Sequence, residues 1–219
     1  MTQILIVDDH PLFRLALVQA VGNLAGDVEV FEADSLDTAR AELVTHRDID
    51  IVLLDLHMPG NHGLMGLVAL RTEYPAIAVV MISANDDPQV VRRALTYGAA
   101  GFIPKRSSIA AIQDMLRTII ACEEPLPLPQ GRILDTEAEQ DRQLARRLAS
   151  LSPQQLRVLI LVAEGLLNKQ IADRLDIQER TVKAHMSAVF ERLEVRNRTQ
   201  ASVLLRSLEV ADPSRTVDE

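Results

Sequence analysis

Five short apolar runs, spaced by segments of helical periodicity, occupy the first 121 residues: ILIV at 4–7, VEVFEA at 28–33, IVLL at 51–54, IAVVMI at 77–82 and GFIP at 101–104. Apolar runs of this length, bounded by turn residues, read as strands. The stretches 11–23, 35–47, 64–73, 87–97 and 108–121 read as helices. Strand–helix alternation repeated five times leaves few folds open. Parallel strands need helical crossovers, and helices on both faces allow the central strands to be continuously apolar. The expected fold class is α/β, a doubly wound five-stranded parallel sheet over residues 1–121.

The alternation stops at CEEPLPLPQGR (122–132), where closely spaced prolines exclude a helix and favour extended backbone. A linker is expected over 122–150. Its second half, 136–149, regains helical character with mixed charge, and suits either a linker helix or the start of the next domain. From 151 to 210 the pattern is helical throughout, in four pieces at 153–164, 168–175, 179–193 and 199–209, so an all-α second domain is expected. Ser152 before Pro153 makes a good N-cap with a first-turn proline, and Thr199 is an N-cap candidate for the last helix. Residues 211–219 are expected to form a flexible tail.

Composition narrows the function classes. With 219 residues and 47% apolar content, two small cores can be filled. No apolar run reaches the roughly 18–20 residues of a membrane span, and the N-terminus meets charge too early for a signal peptide, so a soluble cytoplasmic protein without a membrane partner is expected. Cys122 is the only cysteine, which leaves no intrachain disulfide and no cysteine-built metal site. The net charge of −8 disfavours nucleic acid at first sight, yet it is unevenly spread. Residues 1–121 carry 9 Lys+Arg against 15 Asp+Glu, whereas 180–206 carry Arg180, Lys183, Arg192, Arg196, Arg198 and Arg206 against only Glu191 and Glu194.

In an open parallel sheet, functional groups gather beyond the carboxyl ends of the strands. Asp8 and Asp9 follow the first strand, Asp55 the third, Ser83 the fourth and Lys105 the fifth. All five fall on one edge. Three neighbouring carboxylates repel one another unless a cation joins them, and hard oxygen ligands suit Mg²⁺. A lysine and a hydroxyl beside them can hold phosphoryl oxygens, and an Asp carboxylate can itself attack phosphorus. The set fits a carboxylate that becomes an acyl phosphate. His10, His57 and His62 are scattered without a convergent spacing, which reads as solvated side chains rather than a transition-metal site.

ILIVDDH, LLDLHMPGNHG, MISA and GFIPK resemble the motifs of response-regulator receiver domains across residues 1–121. The resemblance implies a flavodoxin-like sheet of order 2-1-3-4-5, with Asp55 as the phosphoacceptor charged by a sensor histidine kinase. It further implies Mg²⁺ held by Asp8, Asp9, Asp55 and the backbone carbonyl of His57, the phosphoryl group held by Ser83 and Lys105, and Phe102 as an aromatic switch. Read alone, Phe102 suits a core position equally. The chain departs from the family pattern at His62, where Asp or Asn is usual, and at Arg106, where proline is commoner. A phosphohydrolase with an aspartyl intermediate is the rival reading. Such enzymes place a second Asp two residues after the nucleophile, a position held here by His57, so no enzyme activity is expected.

On the helix expected at 179–193, Val182, Met186, Val189, Phe190 and Leu193 share one apolar face, and Arg180, Lys183, Ala184, Ser187 and Glu191 the opposite one. Cations with small residues between them suit a major groove, although composition alone fits an ordinary solvated face as well. EGLLNKQIADRL, TVKAH and VRNRTQA, within residues 151–210, resemble the helix-turn-helix domain of LuxR-type regulators, and the whole chain resembles bacterial transcriptional response regulators of the NarL/FixJ type. This implies a scaffold helix at 168–175 with Asn168 and Lys169 near phosphates, and a recognition helix presenting Arg180, Thr181, Lys183, Ala184, His185 and Ser187 to double-stranded DNA. A homodimer on paired half-sites after phosphorylation is implied, and RNA polymerase is a further candidate partner. Asp176 and Glu194 stand where glycine usually follows a helix, and Gln178 replaces the usual serine cap.

Overall fold

The computed structural model describes residues 1–24, 27–58, 63–121 and 135–210. The first part of the linker expected over 122–150, residues 122–134, together with the tail at 211–219 and the loop residues Pro59 and His62, lies outside the described residues. The chain forms two compact units. In the first, β1 (Thr2–Val7), α1 (Pro11–Gly22), β2 (Val28–Ala33), α2 (Leu36–Thr45), β3 (Ile51–Asp55), α3 (Met65–Glu73), β4 (Ala78–Ser83), α4 (Pro88–Thr96), β5 (Gly101–Pro104) and α5 (Ile109–Ile120) alternate as their periodicity requires.

All four strand pairings are parallel and the order is β2-β1-β3-β4-β5. Residues of β3 are buried without exception, because helices cover both faces of a central strand. Edge strand β2 is only half-buried over most of its length, which is where its interleaved acids Glu29 and Glu32 are tolerated. One core cluster joins Ile4 and Ile6 of β1, Leu53 of β3, Ile82 of β4 and Ile103 of β5 to Leu17 of α1 and Leu116 of α5. Every one of these side chains is nearly or completely removed from water. Burial of each contributes about 1.5–3 kcal/mol.

The second unit contains α6 (Asp135–Ala149), α7 (Pro153–Ala163), α8 (Asn168–Leu175), α9 (Glu179–Leu193) and α10 (Arg198–Arg206). The helix at 136–149, which the sequence left between linker and domain, packs on α9: Leu148 is fully buried, and Arg147 donates to the Leu193 carbonyl at 3.3 Å and pairs with Glu194 at 2.5 Å. Ser152 caps α7 as expected, within a capping box completed by Gln155. The cap of α10 differs from expectation. Asn197, not Thr199, holds the N-cap, accepting from the Gln200 N–H at 2.9 Å, because the helix begins at Arg198 and Thr199 already lies within its first turn.

Two apparent surface cations serve the core of this unit. Arg192 Nη1 donates to the Ser150 carbonyl at 2.5 Å and to buried Gln155 at 2.7 Å, and Arg198 Nη2 donates to the Leu166 and Val162 carbonyls. Both staple α7 to the later helices. Asp176 and Glu194 adopt left-handed backbone, with φ of 52° and 56°, so the turns keep the geometry a glycine would give them. For a side-chain-bearing residue this conformation costs about 1–2 kcal/mol. Glu194 recovers part of that through Arg147, whereas Asp176 is exposed, and no ion pair to its side chain is present among the described residues. Asp176→Gly is therefore expected to stabilise the helical unit by about 0.5–1 kcal/mol, read as a higher urea midpoint, and Asp176→Val to lower that midpoint.

Candidate functional site

Strand register gathers the first site. Val7 of β1 pairs with Leu54 of β3, which makes Asp8 and Asp55 the next residues on adjacent strands. Asp55 pairs with Ile82, and Ser83 with Pro104, so Ser83 and Lys105 come one step further along β4 and β5. Backbone bonds hold the strand ends together: Leu56 N–H to the Ile82 carbonyl at 2.9 Å, and Lys105 N–H to the Ser83 carbonyl at 2.7 Å. Asp8, Asp55 and Ser83 are among the few polar side chains buried in the described chain. Burial of ionised carboxylates is costly unless they are paired.

Lys105 supplies the pairing. Its Nζ lies 2.9 Å from Asp8 Oδ2 and 2.9 Å from Asp55 Oδ2. Burial pushes the Asp55 carboxyl above the ordinary aspartate range, against the opposing pull of Lys105 and with the push of Asp8. For Lys105 itself burial acts downward, but the two carboxylates outweigh it and hold the ammonium above its usual value. The lysine also sits 4.8 Å from the centre of the Phe13 ring, a cation–π contact that fixes its direction. Arg14 braces the same end of β1, donating to the Asp8 carbonyl at 2.6 Å while pairing with Glu32 at 3.0 Å.

The donor set fits a hard divalent ion. Asp8 Oδ2 and Asp9 Oδ1 are shielded from solvent, and among the described residues neither accepts a hydrogen bond of good geometry. One has only Lys105 at ion-pair distance and the other only the His10 ring, at 2.9 Å. Oxygens with lone pairs to spare, three acids against one lysine, suit Mg²⁺. The His57 N–H lies 3.4 Å from Asp55 Oδ1, so the chain turns back over the acid immediately after β3. Ser83 Oγ accepts from the Asn85 N–H at 3.0 Å, which leaves its own hydrogen available to a new acceptor. Phe102 is buried on β5 and registered with Met81. Asp8, Asp9, Asp55, Ser83 and Lys105 thus gather at one end of the sheet, whereas Phe102 lies within β5, short of that end. Phe13, Arg14 and His10 were missed as members, since nothing in their spacing signals that the start of α1 leans over the acids.

A second candidate site lies on the helical unit. An open cleft of about 590 Å³ is lined by Asn168 and Lys169 from the start of α8, by Glu179, Lys183 and Ser187 from α9, and by Arg198. The apolar face of α9 is turned inward, with Val182, Met186, Val189 and Leu193 buried. Arg180, Lys183, Ala184 and Ser187 are exposed on the other side, and Thr181 and His185 are half-buried. Asn168, Lys169, Lys183 and Ser187 therefore converge, whereas Arg180, Thr181, Ala184 and His185 share the helix but do not line the cleft. Lys183 is paired with Glu179 at 3.0 Å, one helical turn away. The basic patch counted along the sequence is smaller in space, because Arg192 and Arg198 are committed to backbone carbonyls.

Comparison with known proteins agrees with both halves. Residues 4–117 match the response regulator receiver domain, and residues 149–205 match the bacterial regulatory proteins of the luxR family. The glycerol metabolism activator of Pseudomonas putida is 44% identical over 209 residues, covering 92% of this chain and 93% of that protein. The nitrate/nitrite response regulator protein NarL of Escherichia coli K12 is 33% identical over 201 residues, covering 91% of this chain and 93% of that protein. Among solved structures, the RcsB response regulator of Salmonella typhimurium superposes with a TM-score of 0.51 at 21% identity, covering 94% of this chain and 98% of that one, a likeness of fold. The chain belongs to the NarL-type response regulators, two-component transcription regulators in which a receiver domain precedes a luxR-type DNA-binding domain.

Proposed function

We propose that this regulator is switched by phosphorylation of Asp55 by a sensor histidine kinase, and that the switch controls how the helical domain engages promoter DNA. The observation that carries the reading is the Lys105 bridge: one ammonium shared by two buried carboxylates, a pairing an incoming phosphoryl group can take over. Asp55 attacks the phosphorus of the kinase's phosphohistidine, the N–P bond breaks, and its electron pair stays with the imidazole, which takes up a proton. The Asp55 carboxylate must be ionised to attack. Asp8, Asp9, Asp55 and the His57 carbonyl would hold Mg²⁺, which when bound neutralises charge on the transferring phosphoryl oxygens. Lys105 keeps Asp8 and turns from Asp55 to a phosphoryl oxygen, while the Ser83 hydroxyl donates to another.

Movement of Ser83 toward the phosphoryl group pulls on the end of β4, and Phe102 on β5 follows as the space beside it changes. Shifting the active fraction from about 1% to 99% requires a difference of roughly 5.5 kcal/mol between the two states. On the helical domain, Asn168 and Lys169 contact phosphates, and Arg180, Thr181, Lys183, Ala184, His185 and Ser187 face the major groove. Pairing of half-sites calls for a homodimer of the phosphorylated form. RNA polymerase is the partner through which transcription would change, and the cytoplasm is where kinase, DNA and polymerase meet. No helix among the described residues is long and apolar enough to cross a membrane.

Three outcomes are expected. Incubated with radiolabelled acetyl phosphate and Mg²⁺, the wild-type chain takes up acid-stable, hydroxylamine-labile label, and Asp55→Asn takes up none. The same substitution raises stability. A carboxyl whose folded pKa is raised favours the fold only below the unfolded carboxylate pKa, and loses that contribution as pH rises through the folded value. At pH 7 the Asp55 charge is therefore a net cost, and Asp55→Asn is expected to raise the urea midpoint of the receiver in metal-free buffer, with the difference shrinking as pH falls through the carboxylate range. Lys183→Ala weakens promoter binding by about 1–3 kcal/mol in a gel-shift titration, and reduces the slope of log K against log salt by about 1 if the contact is to phosphate. Undiminished binding by that variant would overturn the recognition-helix assignment.

A further inference from the structure

His10 lies among the acids rather than in solvent beside them. Its Nδ1 is 2.9 Å from Asp9 Oδ1, 3.2 Å from Asp8 Oδ1 and 3.9 Å from Asp55 Oδ2. An octahedral ion with ligands about 2.1 Å away separates neighbouring donors by about 3 Å and opposite donors by about 4.2 Å. The three distances match two edges and one diagonal of such a shell. One ligand atom from each of Asp8, Asp9, His10 and Asp55 falls within 4.8 Å of the others.

The His10 ring does not serve the helix it precedes. It occupies the N-cap of α1, where Ser, Thr, Asp or Asn would be favoured, and its side chain makes no capping bond. Its backbone N–H donates to Asp8 Oδ1 at 2.8 Å, which fixes the turn and aims the ring across the acids. The ring is 63% exposed, so the outer side of the cluster stays open to water or a phosphoryl oxygen. An all-oxygen set suits Mg²⁺, whereas an imidazole nitrogen raises affinity for first-row transition ions more than for a hard ion.

We propose that His10 Nδ1 is a metal ligand, joining Asp8, Asp9 and Asp55 in a mixed nitrogen–oxygen site that prefers first-row transition ions such as Mn²⁺ and Co²⁺ to Mg²⁺. The inference rests on the reading of these acids as a divalent-metal site and adds to it the nitrogen donor and the selectivity. A ring that simply donates an Nδ1–H to the carboxylates is the competing account of the same distances.

Pulsed EPR of the full-length protein loaded with Mn²⁺ alone separates the two. Directly bound imidazole gives a ¹⁴N hyperfine coupling, expected in wild type, absent in His10→Gln and retained in His57→Gln. Calorimetric titration should show the preference for Co²⁺ over Mg²⁺ falling at least tenfold in His10→Gln, with Mg²⁺ affinity changed less than twofold; His10→Asn, a better N-cap, should behave the same way. Mn²⁺ bound without nitrogen coupling in wild type, or coupling that survives in His10→Gln, overturns the ligand role of His10 and leaves the acidic site standing. Failure of Mn²⁺ and Mg²⁺ to bind at all overturns both.

Discussion

One ammonium group decides whether the buried acids at the sheet edge can coexist. Lys105 Nζ lies 2.9 Å from a carboxylate oxygen of both Asp8 and Asp55, two side chains almost entirely removed from water. Without it, two like charges would face each other in a low-dielectric setting, and one would take up a proton. The placement of the lysine depends in turn on the sheet. Lys105 N–H bonds to the Ser83 carbonyl as β5 ends, and Phe13 of α1 lies under the ammonium. The site is thus a product of register. A slip of one residue in β5 would turn Lys105 to the opposite face and leave the acids unpaired.

The helical unit solves a different problem. Three of its helices, α7, α8 and α10, are short, and α8 spans only Asn168–Leu175, so propensity alone cannot hold them. Arginines reinforce its apolar core. Arg198 satisfies carbonyls at the end of α7 and in the following turn, and Arg192 joins α9 to Ser150 and Gln155 near the start of α7. Each side chain meets at least one carbonyl in the turns that flank α7, Ser150 before it and Leu166 after it. The exposed face of α9 is thereby held rigid, with Lys183 and Ser187 opposite Asn168 and Lys169 across the cleft.

Much of this was legible in the sequence, for reasons tied to particular residues. IVLL ending in Asp55 could only be a central strand with an acid at its carboxyl end, since periodicity and position are local properties of the chain. Asp176 and Glu194 were recognisable as glycine-like turn residues, and both have positive φ. The failures involve choices settled across space. Asn197 and Thr199 are both good caps by type, and only the reach of one side chain to the Gln200 N–H decides between them. Arg192 and Arg198 look like surface charge in any count, because the carbonyls they serve lie more than thirty residues away in sequence. His10 reads as a solvated histidine until the turn fixed by Asp8 brings its ring over the acids.

Charge balance at the sheet edge would link a bound metal to the proposed phosphoryl group. With all three acids ionised, Asp8, Asp9 and Asp55 exceed Lys105 by two negative charges. Conversion of Asp55 to its acyl phosphate replaces a single charge by roughly two, so the deficit deepens to about three in a site that excludes water from Asp8 and Asp55. Lysine alone cannot offset that, and it must already divide itself between Asp8 and the new oxygens. A divalent cation brings the balance to about minus one, within what one exposed imidazole and the surrounding N–H groups can stabilise. Under the proposed phosphorylation of Asp55, the same surplus of negative charge that makes the resting acids costly would make the reaction depend on a bound cation, and would draw Lys105, Ser83 and the strand ends they terminate toward the new charge.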